Sequence, residues 1–256
     1  MKKKLPISVC MLSLNEADRF PLSLTCIDHF EEWLIYDTGS TDNSIQIGQD
    51  AGATVTKQPW LGFSKTRELQ FTQASQPWIL WLDADEVITQ ALIDELYQLF
   101  DNELEPQHSA FEINRMIYFN QQWVKHGDWF PDWNVRLFKK DVWSMPERDV
   151  HESVDINGSK GKLHNILEHH SFRSWNDKEQ RSNKYAKLWV DMQLNKGGKV
   201  LPCTPLLRGV WKFLRGYILK KGFLDRSLGF KIALSNAKET TYKYKLLQAS
   251  LNESHS

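Results

Sequence analysis

The sequence predicts an α/β chain built on a doubly wound, mostly parallel sheet. Three observations predict it. Four strand-like segments alternate with three helical patterns within the first ninety residues, as a run of βαβ units does. The fourth strand-like segment, Trp78-Ile79-Leu80-Trp81-Leu82, is unbroken and apolar, which suits a strand buried on both faces. That run ends in Asp83-Ala84-Asp85-Glu86, and open α/β sheets keep their ligands at the carboxyl ends of strands.

The elements follow in order. Leu5 to Leu14 reads as a first buried strand ending in the polar Asn15-Glu16. A helix is expected from about Asp18 to His29, with Pro21 tolerated only in its first turn. Trp33 to Tyr36 is a second strand, ending in Asp37-Thr38-Gly39-Ser40-Thr41-Asp42. Gly39 permits a tight turn, and Ser40 or Thr41 can cap a helix over 43–51. Gly52 to Thr56 is a third strand. Ser64 to Ala74 is helical, with Lys65 and Arg67 near its start. After the acids, a helix begins near Thr89 and runs to Phe100. Residues 101–108 form a polar connection. From Ala110 to Trp133 aromatics crowd together, interleaved with Asn120, Gln121, Gln122, Lys125 and His126. Strands lining a pocket would read this way, although most such rings belong to a core.

The chain has 256 residues and no net charge, but the charge is unevenly placed. Residues 199–256 carry eleven Lys and Arg against three acids, a net +8, and the remainder carries −8. Leu206 to Leu224 mixes leucines, aromatics and cations, as a helix lying on an anionic leaflet does. The same pattern suits a helix packed on the sheet with its cations in water. Three scattered cysteines show no metal or disulfide spacing and suit a reducing compartment. The apolar segment after Lys2-Lys3-Lys4 is broken by Pro6, Ser8 and Ser13 and reads as a strand, not a signal. No run is long enough to cross a bilayer. No nucleic-acid partner is expected.

Asp83 and Asp85 stand two residues apart at a strand end. Like charges so close are costly unless something positive lies between them. A hard divalent cation, Mg²⁺ or Mn²⁺, is the natural counter-charge, because it prefers oxygen ligands and bridges carboxylates to phosphates.

The ordered set Ser13-x-Asn15-Glu16, Asp37-Thr38-Gly39-Ser40-Thr41-Asp42 and Leu82-Asp83-Ala84-Asp85-Glu86 resembles family 2 glycosyltransferases of the GT-A fold. Downstream, His126-Gly127-x-Trp129-x-Pro131-Asp132, Arg136-Leu137-Phe138, Val150-His151-Glu152 and His169-His170-Ser171-Phe172 look like a bacterial branch. That branch adds sugars, notably glucose, to the lipopolysaccharide or lipooligosaccharide inner core. The resemblance implies a GT-A domain over 1–198, with a nucleotide-sugar half at 1–105 and an acceptor half at 106–198, followed by the basic amphipathic helical tail at 199–256. It implies a nucleotide-sugar donor, UDP-linked first, and a lipid-linked oligosaccharide core acceptor. It places the enzyme in the cytoplasm, peripheral to the inner face of the inner membrane, touching an anionic leaflet.

The resemblance also implies roles. Asn15, Glu16, Asp37 and Ser40 lie where the nucleotide binds. Thr38 stands where many relatives have a second acid. Asp83 and Asp85 match the metal-binding D-x-D, and the third metal position falls to His169 or His170, with His170 carried forward. Arg136 either grips phosphate or is structural. An inverting transfer needs a base for the acceptor hydroxyl, and the candidates are Glu152, then Asp132, with Asp128 behind them. Each of the first two has a rival role in a salt bridge to Arg136 or Arg148.

Two other function classes fit parts of the chain. Asp83-Ala84-Asp85-Glu86-Val87 satisfies the D-x-D-x-[TV] pattern of haloacid-dehalogenase-like phosphatases, in which Asp83 would be the nucleophile. That motif normally closes the first strand of its fold, and here three strand-like segments come earlier. The other class is a non-catalytic glycan- or membrane-binding protein on a degenerate transferase fold.

Overall fold

The computed structural model describes residues 3–101, 106–146, 153–196 and 200–253. The chain forms two units. The first comprises Met1–Arg115 and Asp132–His170; the second comprises Met116–Pro131 and Ser171–Ser256.

In the first unit the order is β1 Leu5–Ser13, α1 Phe20–Ser23, β2 Phe30–Asp37, α2 Ser44–Asp50, β3 Thr54–Lys57, α3 Phe63–Gln73, β4 Trp78–Asp83, β5 Glu86–Ile88 and α4 Gln90–Asp101. Strand β6, Ala110–Phe119, begins there and ends in the second unit, where it pairs with β7, Gln122–Trp123. The first unit resumes with β8 Asp132–Lys139, β9 Trp143–Ser144, β10 Asp155–Ile156 and β11 Lys160–His169. The sheet runs β3-β2-β1-β4-β8-β6-β11-β5. Its first four strands are parallel, and β8 joins β4 antiparallel. The expected α/β sheet is present. β4 is apolar and buried along its length up to Asp83, so it sits centrally with helices on both sides. One core layer gathers Leu5, Ile7, Leu80, Leu82, Leu92 and Leu96. The other gathers Cys10, Phe71, Ile79, Trp81 and Phe138.

Register positions the site. Ser13 lies opposite Asp37 and Leu12 opposite Asp83, so β1, β2 and β4 end together. β5 pairs antiparallel with β11, placing His169 opposite Glu86.

Several element boundaries differ from expectation. The helix expected over 18–29 is reduced to α1 and a 3₁₀ turn at Ile27–His29. Thr25 donates its hydroxyl proton to the Leu22 carbonyl, the local side-chain bonding with which Ser and Thr compete against helix. β5 was not expected at all. Three residues are too few for a periodic signal, and its pairing comes from β11, distant in sequence.

The second unit contains α5 Trp175–Asn195, α6 Thr204–Leu214 and α7 Arg226–Glu253. Ser174 caps α5 by accepting the Asp177 N–H at 3.1 Å. Between α6 and α7 lie a π turn at Arg215–Leu219 and a 3₁₀ turn at Gly222–Asp225. The amphipathic stretch expected over 206–224 is therefore broken rather than continuous. Lys221 takes a left-handed φ of 58°, which ends the helical path. The core joins Ile117, Phe119 and Val124 to Leu228 and Ile232, with Trp129, Phe172 and Trp175 packed against it. Much of the aromatic-rich span is thus core rather than pocket lining. Among the described residues no helix is long and apolar enough to cross a membrane.

Candidate active site

The aligned ends of β1, β2 and β4 carry the predicted residues. Asn15 sits at a left-handed φ of 56° just past β1. Its side-chain oxygen accepts the Thr41 N–H at 2.8 Å, and its own N–H donates to Ser40 Oγ at 2.8 Å. Asp37 is buried. It accepts the N–H groups of Gly39 at 3.1 Å and Ser40 at 2.8 Å, and the hydroxyls of Ser13 and Ser40. In this structure Asp37 and Ser40 hold the turn after β2. Gly39, at φ 122°, supplies the left-handed residue that turn needs. Glu16 pairs with Arg19 at 3.1 Å.

The acids after β4 are arranged unequally. Asp83 meets Arg67 through one oxygen and Arg136 through the other at 2.8 Å. Arg115 stands 4.0 Å away. Trp81 Nε1 donates to Asp83 at 3.2 Å, and Arg67 and Arg136 both lie over the Trp81 ring. Glu86 is fully buried, accepting from Arg136, from Arg115 at 3.0 Å and from the Asp83 N–H at 2.9 Å. Arg115 also donates twice to one oxygen of Asp132, at 2.9 and 2.7 Å. The other Asp132 oxygen accepts from Asn134 at 2.9 Å. Three carboxylates and three guanidiniums thus form one network. Arg136 pairs with Asp83 and Glu86 in this arrangement.

Asp85 points elsewhere. His169 Nε2 lies 3.5 Å and Arg19 Nη1 3.6 Å from its carboxylate. His170 turns its ring to Glu168 and donates its backbone N–H to the Asp85 carbonyl. The imidazole beside the acid is therefore that of His169, not of His170. The reason is register: strand side chains alternate faces, so neighbouring histidines point apart.

Burial pushes the Asp83 carboxyl up, but Arg136, Arg67 and Arg115 outweigh it and hold the group well below the usual carboxylate range. For Asp85, burial and the Asp83 charge push up, while His169 and Arg19 pull down, and the net shift is downward. Both groups are anionic at neutral pH. A depressed carboxyl contributes stability that is fully present above its unfolded pKa of about 3.9 and is lost as pH falls towards its folded value. Stability is therefore expected to decline on acidification below about pH 5. Urea midpoints taken across that range check it, and Asp83→Asn should flatten the slope. An equal slope in the variant would remove Asp83 from the account.

A divalent cation was expected here. Among the described residues no cluster of three or more His, Cys, Asp or Glu stands ready to hold a metal. The donor chemistry nevertheless fits at Asp85 and His169. The carboxylate is anionic, and 3.5 Å is longer than a good hydrogen bond and suits two donors sharing one ion. Asp83 is already engaged by arginines.

Of the bases, Glu152 lies outside the described residues. Asp132 is held by Arg115 and Asn134. Asp128, in the second unit, is clasped by Lys212 at 3.0 Å, Arg215 at 2.6 Å and Lys220 at 3.4 Å. Arg115 and Arg19 were not singled out by sequence, and Arg67 was noted only as a cation near the start of a helix. The one available signal was Arg67 beside Gln70 on what becomes the buried face of α3, where Gln70 ties the Met11 and Leu34 carbonyls together.

Compared with known proteins, residues 8–153, more than half of the chain, match the family described as Glycosyl transferase family 2. The chain belongs to that family. An uncharacterized glycosyltransferase of Rickettsia prowazekii is 25% identical to this transferase over 242 residues, covering 90% of this chain and 81% of that one. The lipopolysaccharide core biosynthesis glycosyltransferase LpsC of Rhizobium meliloti is 27% identical over 205 residues, covering 77% and 75%. The crystal structure of S. aureus TarS in complex with UDP-GlcNAc is 13% identical and covers 98% of this chain and 92% of that one, with a TM-score of 0.48. Membership makes the transferase an enzyme and sets aside both the phosphatase and the non-catalytic readings. The structure agrees about the phosphatase: Asp83 ends the fourth strand, with arginines on both of its oxygens.

Proposed function

We propose that this transferase moves a hexose, glucose first among the candidates, from a UDP-linked donor to the core saccharide of a lipid-linked acceptor. The reaction is metal-dependent and inverts the anomeric centre. One observation carries the reading: just past the end of β4 an anionic Asp85 faces the His169 imidazole, at the end of β11, across 3.5 Å. The Rhizobium relative, named for lipopolysaccharide core biosynthesis, supports the acceptor class. UDP and glucose rest on the motif resemblance.

The residues divide the work. Asp85 and His169 would hold Mg²⁺ or Mn²⁺, which would supply positive charge to offset the departing nucleotide diphosphate. Arg19 lies beside Asp85 and orients its carboxylate. The network behind Asp83 keeps the end of β4 in place. Glu152 takes the proton of the acceptor hydroxyl as its oxygen attacks the anomeric carbon opposite the leaving diphosphate.

The second unit supports contact with the inner face of the bacterial membrane. Leu206, Leu207, Val210, Trp211, Ile218 and Leu219 are exposed, and Lys220 and Lys221 lie among them. Apolar side chains interspersed with cations suit an anionic leaflet.

The test is nucleotide release from a panel of sugar donors, UDP-glucose first, with and without truncated core lipid. Release that is stimulated by acceptor and abolished by EDTA is the expected result. Release indifferent to EDTA would sink the metal dependence, and indifference to core lipid would sink the acceptor.

A further inference from the structure

The second unit carries an open cavity of about 650 Å³, within the size range of small-molecule sites. Its lining holds six cations, Lys178, Arg181, Arg208, Lys212, Arg215 and Lys243, against two carboxylates, Asp128 and Glu239. Gathering like charges is costly unless an anion completes the site.

Part of this charge is already answered. Lys178 meets Glu239 at 3.0 Å and donates to Ser235 at 2.8 Å. Lys212 and Arg215 clasp Asp128. Arg181 meets Asp177 at 3.0 Å. Arg208 and Lys243 are different: neither makes an ion pair among the described residues. Arg208 lies over the Tyr244 ring at 5.8 Å, and Lys243 over the Trp189 ring at 4.8 Å. Both cations rest on aromatic faces instead of acids. Burial and the charge of Lys212 hold the Lys243 ammonium below the usual lysine range, against the pull of Glu239.

The rest of the lining combines aromatics with Ser171, Ser182, Asn236 and Thr240. Trp129, Phe172, Tyr185 and Trp211 border the same space. Flat apolar faces suit the C–H surfaces of a sugar ring, and unanswered cations suit an oxyanion.

The geometry points to a binding site in the second unit for a phosphorylated saccharide, with Arg208 and Lys243 on the phosphate and the aromatic walls on the sugar. Phosphate monoester is favoured over carboxylate because two lining cations, Arg208 and Lys243, make no ion pair among the described residues, and one carboxylate would balance only one of them. This inference rests on the transferase reading above, since it describes the anionic part of the acceptor. No bond is made or broken there.

Calorimetric titration of the full chain tests it, with a bisphosphorylated glucosamine disaccharide as probe and its dephosphorylated form, inorganic phosphate and phosphatidylglycerol vesicles as the other arms. The phosphorylated disaccharide should bind at least about ten-fold more tightly than the dephosphorylated form or inorganic phosphate. The double substitution Arg208→Ala with Lys243→Ala should remove that advantage while the helical melting transition stays in place. Equal binding of both disaccharides to the unsubstituted chain overturns the site. So does inorganic phosphate matching the sugar phosphate, or binding to vesicles alone. The titration contains no donor and no metal, so a failed transfer assay and a failed site give separate results.

Discussion

Asp85→Asn lowers acceptor-stimulated turnover by about 10²–10³-fold while the fold stays intact. The size follows from losing several kcal/mol of charge stabilisation at roughly 1.4 kcal/mol per decade. The fold survives because Asn is nearly isosteric and Asp85 lies outside the buried network: its neighbours are His169 at 3.5 Å and Arg19 at 3.6 Å, and only its backbone carbonyl bonds to the His170 N–H. A Mn²⁺ titration of nucleotide release reads the effect as weaker apparent metal affinity and a lower plateau. Undiminished turnover would remove the metal role, and an unfolded variant would show the residue to be structural.

Glu86→Ala has the opposite signature. It should cost about 3–5 kcal/mol of stability, the usual loss when one partner of a buried ion pair is removed. Glu86 is fully buried and receives Arg136, Arg115 and the Asp83 N–H. Without it two guanidiniums keep only Asp83 and Asp132 as counter-charges, and one backbone donor loses its acceptor. Urea denaturation at neutral pH measures the change. A shift below about 1 kcal/mol, the size of an exposed pair, would mean that the arginines re-pair or that water enters.

The sheet was legible because β1, β2 and β4 are apolar runs whose burial needs no partner to be guessed. The acid pair was legible because it interrupts the strongest of those runs. The arginine network was not, although Arg136 was named as a candidate, because each arginine reaches Asp83 from a different element. Arg67 lies on α3, whose buried face includes Thr66 and Gln70 as well as Phe71, so apolar periodicity gave no warning. Arg115 and Arg136 sit in β6 and β8, brought together by antiparallel pairing. The choice between His169 and His170 depended on one residue of register. The pairing of His169 with Glu86 decides it, and a slip of one would reverse the two rings. Asp37 shows a different limit: an acid that contacts a nucleotide and an acid that ties a turn have the same sequence.

The core of the second unit places Ile117, Phe119 and Val124 against Leu228 and Ile232. On the ribosome the first three emerge early and the last two only near the end of synthesis. Until α7 has left the exit tunnel, the nascent chain carries an aromatic-rich excursion without its native cover, the kind of surface that chaperones hold. Trimming the C-terminal helices to probe membrane contact would recreate that state permanently, so a lost activity in such a truncation would report a missing half-core rather than a missing membrane anchor.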